Sequence, residues 1–82
     1  MALHLEIITP EGRFYNGEVT SATLPGTMGT FQVLNNHAPI ISSLDKGPLS
    51  YVNQEGKHSY QIDGGVVEVL DNKITVLAES IQ

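Results

Sequence analysis

VVEVLDNKITVLAE, residues 66–79, is the stretch that decides the fold class. Two apolar runs, 66–70 and 73–79, flank the dipeptide Asp71-Asn72. Asp and Asn tolerate the positive φ that tight hairpin turns require, so the stretch predicts an antiparallel hairpin with a two-residue turn. Both faces of this hairpin carry apolar residues: Val67 and Val69 against Val66 and Leu70, and Leu77 against Ile74 and Val76. One face must line a core. A solvated second face would be more polar than this one. Either neighbouring strands and loops fold over that face or another protein covers it, and coverage by the chain itself is the expectation.

Outward from the hairpin the pattern stays β. Leu3, Leu5 and Ile7 alternate with His4 and Glu6, the period of a half-buried strand. Pro10, Glu11 and Gly12 make a turn, and Ala22 and Leu24 share one face of a strand that stops at Pro25-Gly26. Short apolar runs follow at 31–34 and 39–44. A further hairpin is expected around 53–56, with Leu49 and Tyr51 before the turn and Tyr60 and Ile62 after it. No stretch keeps a 3.6-residue period, and 8 Gly with 4 Pro would interrupt most helices. About eight to ten short strands in a chain of this size predict an all-β sandwich or barrel. The 82 residues predict one domain, 1–82, without repeat or linker.

Composition narrows the function classes. Nine carboxylates oppose four basic residues for a formal charge of -5, and Arg13, Lys46, Lys57 and Lys73 lie far apart in sequence. Phosphate backbones and anionic lipid surfaces need clustered cations, so neither nucleic acid nor direct lipid insertion is expected. Apolar runs fall short of the roughly 20 residues of a spanning helix, and 1–10 has no charged region followed by an apolar stretch. The reading is a soluble, cytoplasm-type protein. With no cysteine, disulfide and thiolate chemistry are excluded.

A catalytic reading finds little to stand on. His4, His37 and His58 lie on separate elements without metal-ligand spacing, so no metal is expected. No serine sits in a G-x-S-x-G elbow. Acid pairs such as Glu18 with Asp45, or Asp63 with Glu68, would need a cleft that a chain this small rarely encloses. Gly26 and Gly29 lack the spacing and the lysine of a phosphate loop, and are read as backbone devices. Met28, an apolar residue between those glycines, is the candidate contact residue, because a short loop offers little core to hide it. Phe31 and Leu34 are read as core. His37 is read either as a cap of its own turn or as a contact.

Residues 24–40, LPGTMGTFQVLNNHAPI, resemble a signature of the epsilon subunit of F-type ATP synthases. LEIITPEGRFYNGEV (5–19), Gly47, DGGVVEV (63–69) and ITVLAE (74–79) are similar to further segments of that family in the same order. The resemblance implies a flattened β-sandwich of about ten short, mostly antiparallel strands at the foot of the rotating central stalk. It implies a non-catalytic rotor subunit without cofactor, peripheral on the cytoplasmic face of a bacterial inner membrane. That subunit joins the gamma subunit to the membrane ring of c subunits and couples proton flow to ATP synthesis. Carried over by position, Gly26, Thr27, Met28, Gly29, Thr30 and Phe31 would meet the c-ring, and Thr9, His37, Ala38, Pro39 and Ser42 would face gamma. Two features depart from the family. Thr30 and Gln32 stand where many relatives have Glu and Gly, which implies a neutral contact with the ring. Relatives commonly continue into two C-terminal helices, whereas this sequence ends at Gln82, so inhibition by those helices is not expected of it. The alternative reading is a free-standing β-sandwich module for a peptide or carbohydrate. Such a module favours an aromatic platform, and the chain has three Tyr, two Phe and no Trp.

Overall fold

A computed structural model describes residues 2–82. Seven strands follow one another: β1 (Leu3–Thr9), β2 (Gly12–Val19), β3 (Ser21–Gly26), β4 (Gly29–Val33), β5 (Ile40–Asn53), β6 (Gly56–Leu70) and β7 (Lys73–Ala78). They form one mixed sheet in the order β2-β1-β7-β6-β5-β3-β4. Every neighbouring pair is antiparallel except β1 and β7, which run parallel. The described residues contain no helix.

The expected count of about ten short strands is corrected to seven, because β5 and β6 span 14 and 15 residues. Asp45 to Pro48 and Asp63 to Gly65 look like strand breaks, yet they are bends within continuous strands. At this point the pairing passes from Leu44↔Gly65 to Lys46↔Asp63. Gly64 and Gly65 take φ of 106° and 153°. Pro48 falls where β3 no longer pairs with β5, between Thr23↔Ser50 and Gly26↔Leu44, so its missing N–H costs that ladder nothing.

The bends fold the sheet back on itself. Residues 40–44 of β5 and 65–70 of β6 form one layer with β7 and β1, and the remaining halves of β5 and β6 form the other with β3 and β4. Leu5, Ile7, Ile74, Val76, Val67 and Val69 from the first layer meet Leu24, Val33, Leu49 and Ile62 from the second in a single buried cluster. The smallest extent of the molecule is 19 Å, as two layers packed about 10 Å apart require. After β7 the chain crosses to the second layer. The Gln61 and Gln82 backbones exchange hydrogen bonds at 3.0 and 2.9 Å, and Ile81 packs against the core.

The two hairpin turns named from sequence form as expected. Asp71 and Asn72 have φ of 51° and 61°, and Asn53 Oδ1 accepts the Glu55 amide at 2.9 Å across the Asn53↔Gly56 turn. Asn72 does more than turn the chain. Its buried side chain accepts the Asn36 amide at 2.7 Å and donates to Asn36 Oδ1 at 3.3 Å, tying the β4–β5 loop to the β6–β7 turn. Leu34 is not in the core: β4 ends at Val33, which takes the inward position, and Leu34 is 51% exposed.

Aromatic residues close the far side of the fold. Tyr15 of β2 lies 4.4 Å from Tyr51 of β5, and the Phe14 ring meets Tyr60 edge-on at 5.0 Å. Asn53 Nδ2 donates to the Tyr15 hydroxyl at 3.2 Å. Burial, and secondly the neighbouring Tyr60, push the Tyr51 hydroxyl above the ordinary tyrosine value of 10. The folded chain thus keeps this proton where the unfolded chain releases it, so folding stability is lost as pH rises. We expect urea-unfolding stability to be insensitive to this group below about pH 9. Above about pH 10 it should fall, at a limiting slope of roughly 1.4 kcal/mol per pH unit. Tyr51→Phe should remove that component. An alkaline limb of equal slope in the variant would show that Tyr51 is not its source.

Candidate functional site: a hairpin tip beside an apolar face

The β3–β4 hairpin turns through Thr27-Met28, with Gly26 opposite Gly29. It lies at the edge of the sheet, with β4 as the last strand. Pro25 and Gly26 are buried, Phe31 is half-buried against the core, and Thr27, Gly29 and Thr30 are exposed. Met28 is 98% exposed, so its side chain makes almost no contact with the rest of the fold. The tip 26–31 contains no ionisable side chain. Beside the Gly26↔Leu44 pair, Ser43 of β5 holds the turn to the body: the Thr27 amide donates to the Ser43 carbonyl at 3.1 Å, and the two hydroxyl oxygens lie 2.9 Å apart.

Ser43 also begins a row of outward-facing residues in the first layer. Ser43 pairs with Val66, Val66 with Leu77, and Leu77 with Ile8. Val66 and Leu77 are close to half exposed, Ile8 is partly exposed, and Ile41, two residues before Ser43, is 79% exposed. The row borders an open groove of about 730 Å³ lined by Pro10, Gly64, Gly65 and Glu79 among others. The expectation that the chain covers this face itself is therefore overturned. Among the described residues all seven strands lie in the sheet, and none lies over this face. The same face is polar toward β2, where Glu6 accepts from Arg13 Nε at 3.0 Å and sits 3.6 Å from Lys73 Nζ.

The residues assigned to a gamma contact are distributed more widely. His37, Ala38 and Pro39 form the loop before β5, with the His37 ring Nδ1 donating to the Ala38 carbonyl at 2.7 Å and its amide to Leu34 at 3.2 Å. Ser42 is half-buried and pairs with the buried Val67, so the outward positions around it are Ile41 and Ser43. Thr9 lies past the Ile8–Leu77–Val66–Ser43 row, whereas 37–39 lie before the Leu5–Ile74–Val69–Ile40 row. These two groups are thus at opposite ends of the layer. Thr9 serves its own turn, donating to the Gly12 carbonyl and accepting the Glu11 amide, each at 3.2 Å.

Ile8, Ile41 and Ser43 were not singled out from sequence. For the two isoleucines a signal existed. Ile7-Ile8 and Ile40-Ile41 are adjacent aliphatic pairs inside strands, and a strand of period two must send one member of each pair outward.

The histidines stay apart: His4 bonds Asn16, His37 bonds Ala38, and His58 Nε2 lies 3.1 Å from Asn53 Oδ1 while its ring stacks on Tyr51. What the arrangement presents is therefore an uncharged tip and an apolar face meeting at Ser43, a geometry for contact.

Comparison with known proteins accords with this shape. Residues 2–82 match the family described as ATP synthase, Delta/Epsilon chain, beta-sandwich domain. The chain is 40% identical over 82 residues to an ATP synthase epsilon chain of Anaeromyxobacter sp. (strain K), covering all of this chain and 62% of that protein. It is likewise 40% identical over 81 residues to an ATP synthase epsilon chain of Chlorobium limicola, covering 98% of this chain and 92% of that protein. In structure it is similar to a chain of the Euglena gracilis mitochondrial ATP synthase, with a TM-score of 0.90 at 21% identity, covering 99% of this chain and 52% of that one. The last likeness concerns fold alone, whereas the sequence matches run the length of the chain: it belongs to the ATP synthase delta/epsilon chain β-sandwich family.

Proposed function

We propose that the chain is a non-catalytic rotor subunit of an F-type ATP synthase, joining the gamma subunit of the central stalk to the c-ring and coupling proton flow to ATP synthesis. The observation that carries this reading is Met28, held fully exposed at the end of a hairpin tied to Ser43, beside an apolar face that none of the described strands covers. Torque transfer asks for contact area and shape fit at two surfaces and for no reacting group. The tip Gly26, Thr27, Met28, Gly29, Thr30 and Phe31 meets the ring through a neutral, apolar contact. Gamma lies against the side of Ile41, Val66 and Leu77, with His37, Ala38 and Pro39 at one margin, Thr9 at the other, and Ser42 between them in the strand that carries Ile41. Bacterial relatives at 40% identity favour a place on the cytoplasmic face of a bacterial inner membrane.

The test is reconstitution of an epsilon-depleted ATP synthase with this chain, reading ATP-driven proton pumping. The wild-type chain should restore pumping. Met28→Glu should leave folding within about 0.5 kcal/mol, as exposed substitutions do, while pumping per ATP hydrolysed drops severalfold. A loss of several kcal/mol of stability would mark Met28 as structural, and restored pumping by the variant would remove the tip from the ring contact.

A further inference from the structure

The hairpin tip and the apolar face meet through one residue. Between Thr23↔Ser50 and Gly26↔Leu44 the β3–β5 ladder is interrupted, with five residues of β5 (45–49) set against two of β3 (Leu24 and Pro25). On its other side β3 has only β4, the last strand of the sheet. Beyond this gap the end of the hairpin is held to β5 at the Gly26↔Leu44 pair and, next to it, by Ser43. Its carbonyl accepts the Thr27 amide at 3.1 Å and the Ser42 hydroxyl at 3.0 Å, and its hydroxyl lies 2.9 Å from that of Thr27. Ser43 belongs to the half of β5 paired with 65–69 of β6, the layer that bears Val66 and Leu77, whereas β3 and β4 belong to the other layer. The bond thus crosses from one layer to the other at the point where the sheet is least continuous.

We infer that the Thr27–Ser43 hydroxyl pair is a positioning latch that passes load from the ring-facing tip directly to the apolar face, without routing it through the hairpin's own strands. This rests on the function proposed above and adds the path by which force crosses the subunit. A side force on Met28 acts on a two-residue turn at a sheet edge. With the latch closed it is borne by Ser43 and then by the ladder to Val66, Leu77 and Ile8. With the latch open the hairpin yields before the body turns. Thr27 and Ser43 are therefore positioning residues, and their role should grow with opposing load.

Two measurements test the latch. In the chain alone, exchange of the amide at position 27, corrected for intrinsic rates, should quicken by roughly two- to tenfold in Thr27→Val and in Ser43→Ala, the span one neutral hydrogen bond represents. The double variant should exchange no faster than the faster single, and Ser43→Thr, which restores a hydroxyl, should return to the wild-type rate. In epsilon-depleted ATP synthase reconstituted with each chain, Ser43→Ala should bind as wild type does. It should lose pumping per ATP as the opposing proton gradient rises, with Ser43→Thr rescuing. Unchanged exchange, additive singles, or equal pumping at high gradient would each overturn the latch. A wild-type chain that restores no pumping would overturn the proposed function and the load path with it. Restored wild-type pumping that Ser43→Ala matches at every gradient overturns the load path alone.

Discussion

Gly65→Ala is expected to cost the fold roughly 3 to 5 kcal/mol, the sum of a strained backbone and an overpacked contact. Gly65 has φ 153°, and an added Cβ would lie 2.1 Å from the Leu77 carbonyl oxygen and 3.0 Å from the Ala78 Cα. Both neighbours are backbone atoms of β7 locked into the ladder with β6, so neither can move without breaking the pairing of Val66 with Leu77. Gly29→Ala is the control: its φ of 127° is as unusual for an L side chain, but no atom lies within 4 Å of the added Cβ. That variant should lose only about 1 kcal/mol. A domain of this size sits at the low end of the about 5–15 kcal/mol that folded proteins hold, so Gly65→Ala should leave a large unfolded fraction at 37 °C. Equal chemical-denaturation midpoints for the two variants would show that the close approach at Gly65 is relieved by backbone adjustment.

Placing lysine at both Ile41 and Val66 is expected to abolish assembly on the central stalk while sparing the fold. Both side chains point outward, and Ile41 is opposite Glu68, so a lysine there gains a cross-strand carboxylate. Stability of the chain alone should stay within about 1 kcal/mol of wild type. Two buried interface anchors carry about 2 kcal/mol each, so binding to an epsilon-depleted complex should weaken on the order of a hundred- to a thousandfold. Wild-type binding by the double variant would remove this face from the interface.

The parts of the fold legible in the sequence are those fixed by local chemistry. Asp71-Asn72 announces its turn because few other residue pairs accept two positive φ values, and Leu3, Leu5 and Ile7 announce an inward face by alternation. The strand count was not legible, because Gly47-Pro48 and Asp63-Gly64-Gly65 carry turn chemistry that tertiary pairing here uses for bends. Leu34 reads as core by composition, and only the end of β4 one residue earlier turns it outward. At the candidate site, the exposure of Met28 followed from its loop. The bareness of the Val66–Leu77 face did not, since coverage depends on which elements remain to supply it. The Thr27–Ser43 bond joins residues 16 apart across an interrupted ladder, and no spacing rule announces such a contact.

The parallel pairing of β1 with β7 governs how the molecule comes into being. β7 lies between β1 and β6, and His4 finds its partner in Lys73. Until residues 73–78 arrive, the β1–β2 hairpin has no ladder to the rest of the sheet, and Leu5 and Ile7 lack the Ile74 and Val76 they pack with. β7, the last of the seven strands in chain order, is thus the one that joins the β1–β2 hairpin to the rest of the sheet, and completion of the sheet must wait for it. Such distant closure is slow, because loop entropy is spent before any contact repays it. In pulse-labelled hydrogen exchange, the β1 amides that bond β7 should gain protection together with β7 in the final phase, after the β5–β6 hairpin. Early protection of those β1 amides would mean that another strand edge stands in for β7 during folding.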